Sequence, residues 1–187
     1  ESFKDEYDRL THPPAEAQID FGITEVVQEG KAKDIHCLIM SLPFSNGGYT
    51  VPLPAENQQC FLEGLKGLFQ QFGRVPRTLR IDNLAAAVVR ARGKHGDTVF
   101  TEAFQMFATH YGFEPHACNA RKGHEKGHVE NKVGYVRYNF FTPSPVIRDL
   151  KHLQEMLINK SQKDHERNHY IKGEPIQDLI EEEKSTV

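Results

Sequence analysis

Three acidic residues of this sequence occupy positions from which their carboxylates could form a metal-binding catalytic site. Asp20 lies inside a run of apolar and β-branched residues, Asp82 directly follows a second such run, and Glu130 lies 48 residues further on. Carboxylates that converge from separate elements repel one another in a partly dry site, and a bound divalent cation removes that repulsion. Because Mg²⁺ prefers hard oxygen ligands, we expect these three residues to form a magnesium site.

Such a site is suited to phosphodiester chemistry. Two metal ions about 3.5 to 4 Å apart activate an attacking oxygen and stabilise a leaving oxygen. In this hypothesis Asp20 bridges both ions, Asp82 completes the first site and Glu130 completes the second. The metal lowers the pKa of bound water or of a DNA 3′-hydroxyl, so no side-chain base is required. We expect Mn²⁺ to substitute for Mg²⁺.

The local distribution of charge along the sequence agrees with a nucleic-acid substrate, although the net charge of the chain does not. A formal net charge of −3 argues mildly against binding to phosphates. However, residues 74–94 contain six basic residues and one acid, and residues 117–137 contain five basic residues and two acids. Each basic stretch surrounds one of the candidate acids. We expect DNA contacts from Asn83, Arg121, Lys122, Lys126, Lys132 and Arg137.

Hydrophobic periodicity predicts the elements that position these residues. Strands are predicted at 17–27, 32–42, 49–53, 78–81 and 113–117, the first two as a hairpin. Helices are predicted at 55–72, from the cap Thr101 to Gly112, from beyond the loop 119–123 to about Phe141 with Glu130 on it, and at 146–168. Residues 181–183 are expected to form a frayed tail. The order β-β-β-α-β-α-β-α describes an α/β ribonuclease H-like fold, with a mixed five-stranded sheet flanked by helices.

Length and composition favour a single folded domain. The chain has 187 residues, of which 38% are hydrophobic, and no apolar run reaches the 18 or so residues that a membrane span needs. Three widely separated cysteines indicate buried thiols in a reducing compartment. We therefore expect a cytoplasmic protein that is not associated with a membrane.

Several motifs, in order, resemble the catalytic core of IstA-type insertion-sequence transposases, the DDE type of integrase-like core. They are 17–22 (AQIDFG), 72–76 (FGRVP), 80–88 (RIDNLAAAV), 110–113 (HYGF), 121–123 (RKG) and 126–131 (KGHVEN). The likeness spans roughly 15–141. His128 departs from it, because a lysine or arginine is expected there. This leaves the three acids intact but argues against a phosphate contact at position 128.

The resemblance implies a function and a domain organisation. The function is DNA 3′-end cleavage and strand transfer at transposon ends during DNA integration, by a DNA-bound homo-oligomer, a dimer or tetramer. The implied partners are double-stranded DNA and an AAA+ ATPase of the IstB type, and the implied location is the nucleoid in the bacterial cytoplasm. We expect residues 1–14 to be a linker from an N-terminal DNA-binding region, residues 15–142 to be the catalytic core, and residues 143–187 to be a helical extension toward a C-terminal domain.

Three alternatives remain at this stage. The segment from His124 to His128, with Glu125 between them, satisfies the His-Glu-x-x-His pattern of zinc hydrolases, although Gly127 weakens a helix there and no third ligand is evident. The same fold could also serve only for DNA binding or oligomerisation. A related ribonuclease H-like nuclease or retroviral-type integrase is the nearest alternative, and the wide interval between Asp82 and Glu130 favours the insertion-sequence group.

Overall fold

The main element of the protein is a mixed sheet with helices on both faces. The computed structural model describes residues 12–82, 89–90, 99–118 and 131–187. The strands of the described part are β1 (Glu16–Gln28), β2 (Lys31–Leu42), β3 (Gly47–Leu53), β4 (Thr78–Asp82), β5 (Val89–Arg90), β6 (Val99–Phe100), β7 (Glu114–Cys118) and β8 (Val146–Ile147). The helices are α1 (Gln58–Phe72), α2 (Glu102–Tyr111), α3 (Lys132–Phe140), α4 (Leu150–Asp164) and α5 (Ile176–Lys184).

The sheet has the strand order β3-β2-β1-β4-β7, and β8 pairs with the far end of β1. β1, β2 and β3 form an antiparallel meander, whereas β4 and β7 run parallel to β1. All five strands that the sequence predicts are confirmed. The predicted ribonuclease H-like layout is also confirmed, with β8 as a short sixth strand.

Local capping explains where the first two helices begin and end. Asn57 caps α1 by accepting a hydrogen bond from Cys60 N at 2.8 Å, and Gly73 ends it with a φ of 84°. Thr101 caps α2 in the same way, through Phe104 N at 3.2 Å, and α2 ends at Gly112. These helix ends agree with the sequence prediction to within a turn.

Two apolar clusters lie on opposite faces of the sheet. The first contains Ala17, Ile19, Leu79 and Ile81 from the central strands, together with residues of α1, α2 and α5. The second contains residues of β1 and β2 together with residues of α3 and α4. Cys37 is buried in the second cluster and Cys60 is half-buried in α1, while the side chain of Cys118 lies outside the described residues.

The structure differs from the sequence prediction between β4 and α2 and after α3. A two-stranded sheet, β5 with β6, was not predicted. The predicted helix at 146–168 begins only at Leu150, because residues 146–147 pair with β1 and Asp149 caps the helix through His152 N. It ends at Asp164, before the segment that leads to α5.

The predicted frayed tail at residues 181–183 is wrong. These residues belong to α5, whose Ile176, Leu179 and Ile180 are buried, and Glu183 is fully buried beside them. Oε1 of Glu183 accepts a hydrogen bond from Ala15 N at 3.2 Å, directly before β1. The sequence prediction failed because one of the three consecutive glutamates, Glu183, occupies a position on the buried apolar face of the helix. The periodicity of apolar residues is interrupted there.

The burial of Glu183 makes the stability of the fold depend on pH. Desolvation raises its pKa from an ordinary 4.5 to about 7, against the opposing effects of Ser45 and the Ala15 N–H. The folded chain therefore holds a proton that the unfolded chain releases between these values, so stability falls as pH rises from about 4.5 to about 7 and then levels. At about 1.4 kcal/mol per pKa unit, the shift corresponds to roughly 3 kcal/mol.

We expect Glu183→Gln to remove this decline, since a neutral amide retains the acceptor for Ala15 N. The free energy of unfolding, measured by urea denaturation between pH 4.5 and 8, is then flatter in the variant than in the wild type. Glu182→Gln, an exposed neighbour, is the control and should follow the wild-type curve. Parallel curves for wild type and Glu183→Gln would contradict the assignment.

Candidate active site

Two of the three predicted acids lie side by side in the sheet. β1 and β4 pair in parallel with Ile19 opposite Ile81, and Asp20 and Asp82 are the next residues of the two strands. Asp82 in turn pairs with Cys118, the last residue of β7. Residues 20 and 82 are therefore backbone neighbours where β4 and β7 end. In sheets with parallel strands, this carboxyl-end edge is where ligands bind.

Asp20 is half-buried on the face of the sheet opposite the first apolar cluster. Its strand neighbour Ile19 packs into that cluster, and strand alternation turns Asp20 to the other face. There Gln18, two residues earlier, donates from Nε2 to both carboxylate oxygens, at 3.2 Å to Oδ2 and 3.4 Å to Oδ1. The amide of Gln18 thus helps to orient the Asp20 carboxylate.

The remaining predicted residues fall largely outside the described part of the chain. Those outside it are Glu130, Asn83, Arg121, Lys122 and Lys126, as well as the His124–His128 segment of the zinc alternative. The side chain of Asp82 is also outside it. Within the described ranges, no three His, Cys, Asp or Glu side chains gather closely enough to hold a metal ion.

Helix α3 lies against the face that carries Asp20. It begins at Lys132, with Asn131 as its cap through Gly134 N at 3.2 Å. A Cβ on Gly22 would lie 3.3 Å from Val133 Cγ1, so the glycine lets the helix approach β1 two residues beyond Asp20. The predicted helix is confirmed only from Lys132 onward. Asn131 has an extended backbone as its N-cap, so the expectation that this helix includes Glu130 is wrong, and the acid precedes α3 in the chain.

The two predicted DNA contacts on α3 differ in their surroundings. Lys132 is only 4% exposed and donates from Nζ to Asn46 O at 2.7 Å, with the same atom 5.0 Å from the ring centre of Tyr135. Arg137 is exposed, and its Nε donates to Ile23 O at 2.9 Å. Lys132 therefore ties α3 to the β2–β3 turn, whereas Arg137 borders solvent.

A further polar group supports the start of α3 from the side of α4. Tyr135 donates from its hydroxyl to Asp164, and Arg167 donates from Nε to the same carboxylate at 3.1 Å. The guanidinium of Arg167 lies 4.7 Å from the centre of the Tyr135 ring. Sequence reasoning missed this cluster and the role of Gln18. The one available signal was the placement of Gln18 two residues before Asp20, which puts both on one face of a strand.

Solved structures define the class to which this fold belongs. The chain superposes on the catalytic core domain of BIV integrase with a TM-score of 0.59 at 11% identity, over 93% of this chain and 98% of that one. A simian T-cell lymphotropic virus intasome, in complex with PP2A regulatory subunit B56 gamma, gives a TM-score of 0.64 at 16% identity, over 91% of this chain and 55% of that one. The fold is that of an integrase catalytic core, which is ribonuclease H-like.

The relatives in sequence are insertion-sequence transposases. The transposase for insertion sequence element IS640 of Shigella sonnei is 31% identical over 147 residues, which is 79% of this chain and 46% of the relative. The transposase for IS21 of Pseudomonas aeruginosa is 31% identical over the same length and share of this chain, and 37% of that relative is covered. The chain is a homologue of the IS21-family transposases.

The chain spans less than half the length of these two relatives. No family model matches it. Among its described helices, none combines the length and the apolar character that crossing a membrane requires.

The contacts of Lys132 predict that its role is structural. We expect Lys132→Met to lower the free energy of unfolding by about 1 to 3 kcal/mol, because the carbonyl of Asn46 loses a charged donor in a buried place. Thermal unfolding measures this loss, and the exposed Arg137→Met is the control, with a change of about 0.5 kcal/mol or less. A Lys132→Met protein of unchanged stability but weaker, less salt-sensitive DNA binding would instead establish the DNA contact.

Proposed function

We propose that this chain is the catalytic domain of a DNA transposase that performs metal-dependent 3′-end cleavage and strand transfer of transposon ends. The observation that carries the proposal is the adjacency of Asp20 and Asp82 in an integrase-type sheet of a chain homologous to insertion-sequence transposases. Glu130 is the third acid of the proposal, from the stretch directly before α3. The reaction class is polynucleotidyl transfer.

The described surroundings of Asp20 fit a divalent cation. Its carboxylate is half-buried on a polar part of the sheet, next to the backbone position of a second aspartate, and both offer hard oxygen ligands. The catalytic core of HTLV-2 integrase, which shares this fold at a TM-score of 0.52 and 15% identity, was solved in complex with magnesium. In our proposal Asp20, Asp82 and Glu130 hold two Mg²⁺ ions, or Mn²⁺ in their place. When bound, these ions supply Lewis acidity to the attacking and leaving oxygens.

The chain's own residues hold and orient this carboxylate set. β1 fixes Asp20 in the centre of the sheet, where Ile19 packs into the first cluster, and Gln18 orients its two oxygens. Lys132 anchors the beginning of α3 to the turn at Asn46. Two residues before Lys132 stands Glu130, so the anchor limits how far the third acid can depart from the sheet.

The remaining features of the proposal concern the whole protein. Catalysis takes place in a dimer or tetramer on double-stranded DNA, at the nucleoid of a bacterial cell, with an AAA+ ATPase of the IstB type acting on target DNA. The proposal assigns residues 15–142 to the catalytic core and residues 143–187 to an extension of it, with recognition of transposon ends by a further region. Contacts to DNA from Asn83, Arg121, Lys122, Lys126 and Arg137 belong to the same proposal.

Substitution of each acid tests the proposal. In the full-length protein, Asp20→Asn, Asp82→Asn and Glu130→Gln should each reduce strand transfer by at least about a thousandfold, because each removes a ligand charge without changing side-chain size. Product is measured on a labelled transposon-end duplex with Mg²⁺. Circular dichroism and thermal unfolding check that each variant folds.

Asp34→Asn is the matched control, because this aspartate lies exposed near the far end of the β1–β2 hairpin. It should retain wild-type activity. Activity retained by any one of the three acid variants removes that residue from the site, and activity retained by all three refutes the proposed function.

A further inference from the structure

The two halves of the sheet face that carries Asp20 are covered differently. Helices α3 and α4 cover the half formed by β1 and β2, through the second apolar cluster. No residue of β4 or β7 belongs to that cluster, and Glu114 and His116 on β7 are exposed, so this half is open among the described residues. The open half carries polar side chains two residues before Asp20 and Asp82 along the strands.

Arg80 is the central cation of this open half. Its strand neighbours Leu79 and Ile81 are fully buried in the first cluster, so alternation turns Arg80 to the same face as Asp20. The side chain is half-buried, yet no described residue accepts a hydrogen bond from its guanidinium or forms an ion pair with it. Its position is two residues before Asp82, or about 7 Å along the strand.

A row of polar residues runs across the strands at this level. Arg80 pairs with Gln18 on β1 and with His116 on β7. His116 lies close to Glu114, with 3.3 Å between Nε2 and Oε1, and both are largely exposed. His12 lies near enough to Arg80 for the positive charge of the guanidinium to lower its pKa, after the larger effect of burial. The acids Glu16 and Glu114 face this half of the sheet, but neither carboxylate forms an ion pair with the Arg80 guanidinium.

We propose that Arg80 binds a phosphate of the DNA strand on which the acids act, as a substrate-binding residue of the reaction. This inference rests on the proposed function. A half-buried guanidinium without an acceptor among the described residues is held in place by its strand and retains its donors for a ligand. Its planar fork matches two oxygens of one phosphate. Two residues along the strand, about 7 Å, separate Arg80 from the acid edge, which keeps its guanidinium within reach of the DNA strand that the acids act on. Arg80 therefore binds a phosphate close to the one that reacts.

The salt dependence of DNA binding tests this assignment. Affinity for a labelled transposon-end duplex is measured with the full-length protein between 50 and 200 mM salt. Each phosphate that a cation neutralises contributes about 0.9 to the slope of log affinity against log salt. We expect Arg80→Gln to reduce the slope by about 1 and to weaken binding roughly tenfold. Arg80→Lys retains the slope but binds more weakly than wild type, because an ammonium lacks the planar fork.

Arg74→Gln is the matched control. Arg74 is exposed and follows the end of α1, at the opposite end of β4 from Asp82, and the substitution removes the same charge. We expect its slope to equal that of wild type, and thermal unfolding shows that all variants fold. An unchanged slope in Arg80→Gln, or an equal reduction in Arg74→Gln, overturns the inference.

The strand-transfer assay separates this inference from the proposed function. If the wild type transfers strands and Arg80→Gln binds DNA and reacts just as the wild type does, the inference about Arg80 is refuted and the proposed function is not. A wild-type protein that binds DNA with the expected Arg80 effect but transfers no strand refutes the proposed function and leaves only a phosphate site. Failure of the wild type to bind DNA refutes both.

Discussion

The parallel pairing of β1 with β4 is the contact on which the rest of this structure depends. It places Ile19 opposite Ile81 and so makes residues 20 and 82 neighbours. Parallel strands need a long crossover, which the chain supplies through β2, β3 and α1. The pairing is held from one side, because Ile19 and Ile81 are both buried under α1 and α2, and each contributes about 1.5 to 3 kcal/mol. A shift of one residue would turn these apolar side chains to the polar face.

This constraint makes the two faces of the sheet differ in polarity. One face is an apolar core that includes α5, so the segment beyond α3 is part of the same packed body. The other face is apolar over β2 and the later part of β1, and it changes to polar side chains at Gln18 and Asp20 on the earlier part of β1 and at Arg80 on β4. The proposed DNA site lies at this change, where the packed core on the opposite side fixes the strands that carry each polar group.

Elements whose ends are determined by residues close together in the sequence could be predicted from the sequence alone. The cap Thr101 and the ending glycine Gly73 satisfy helix ends by contacts within a few residues, so they can be recognised from the sequence alone. Asn57 caps α1 in the same way, but the sequence prediction began that helix at residue 55. Placing Asp20 and Asp82 at strand positions that meet at one edge follows from the same kind of reasoning. The family resemblance is confirmed by the relatives and by the integrase-core fold.

Contacts between distant segments could not be predicted in the same way. Lys132 is a lysine in a basic stretch, and only the structure shows that its ammonium lies under Asn46 O. Glu183 is likewise an ordinary acid in sequence, but it packs against the amide of Ala15, 168 residues away. Both are charged residues in buried places, which composition and periodicity assign to the surface.

The location of a bound metal ion tests the central claim most directly. Crystals of the protein soaked in Mn²⁺ should give an anomalous scattering peak bonded to carboxylate oxygens of Asp20 and Asp82, with Glu130 within coordinating distance. A peak at His124 and His128, with none at the three acids, would contradict the claim and favour a zinc hydrolase instead.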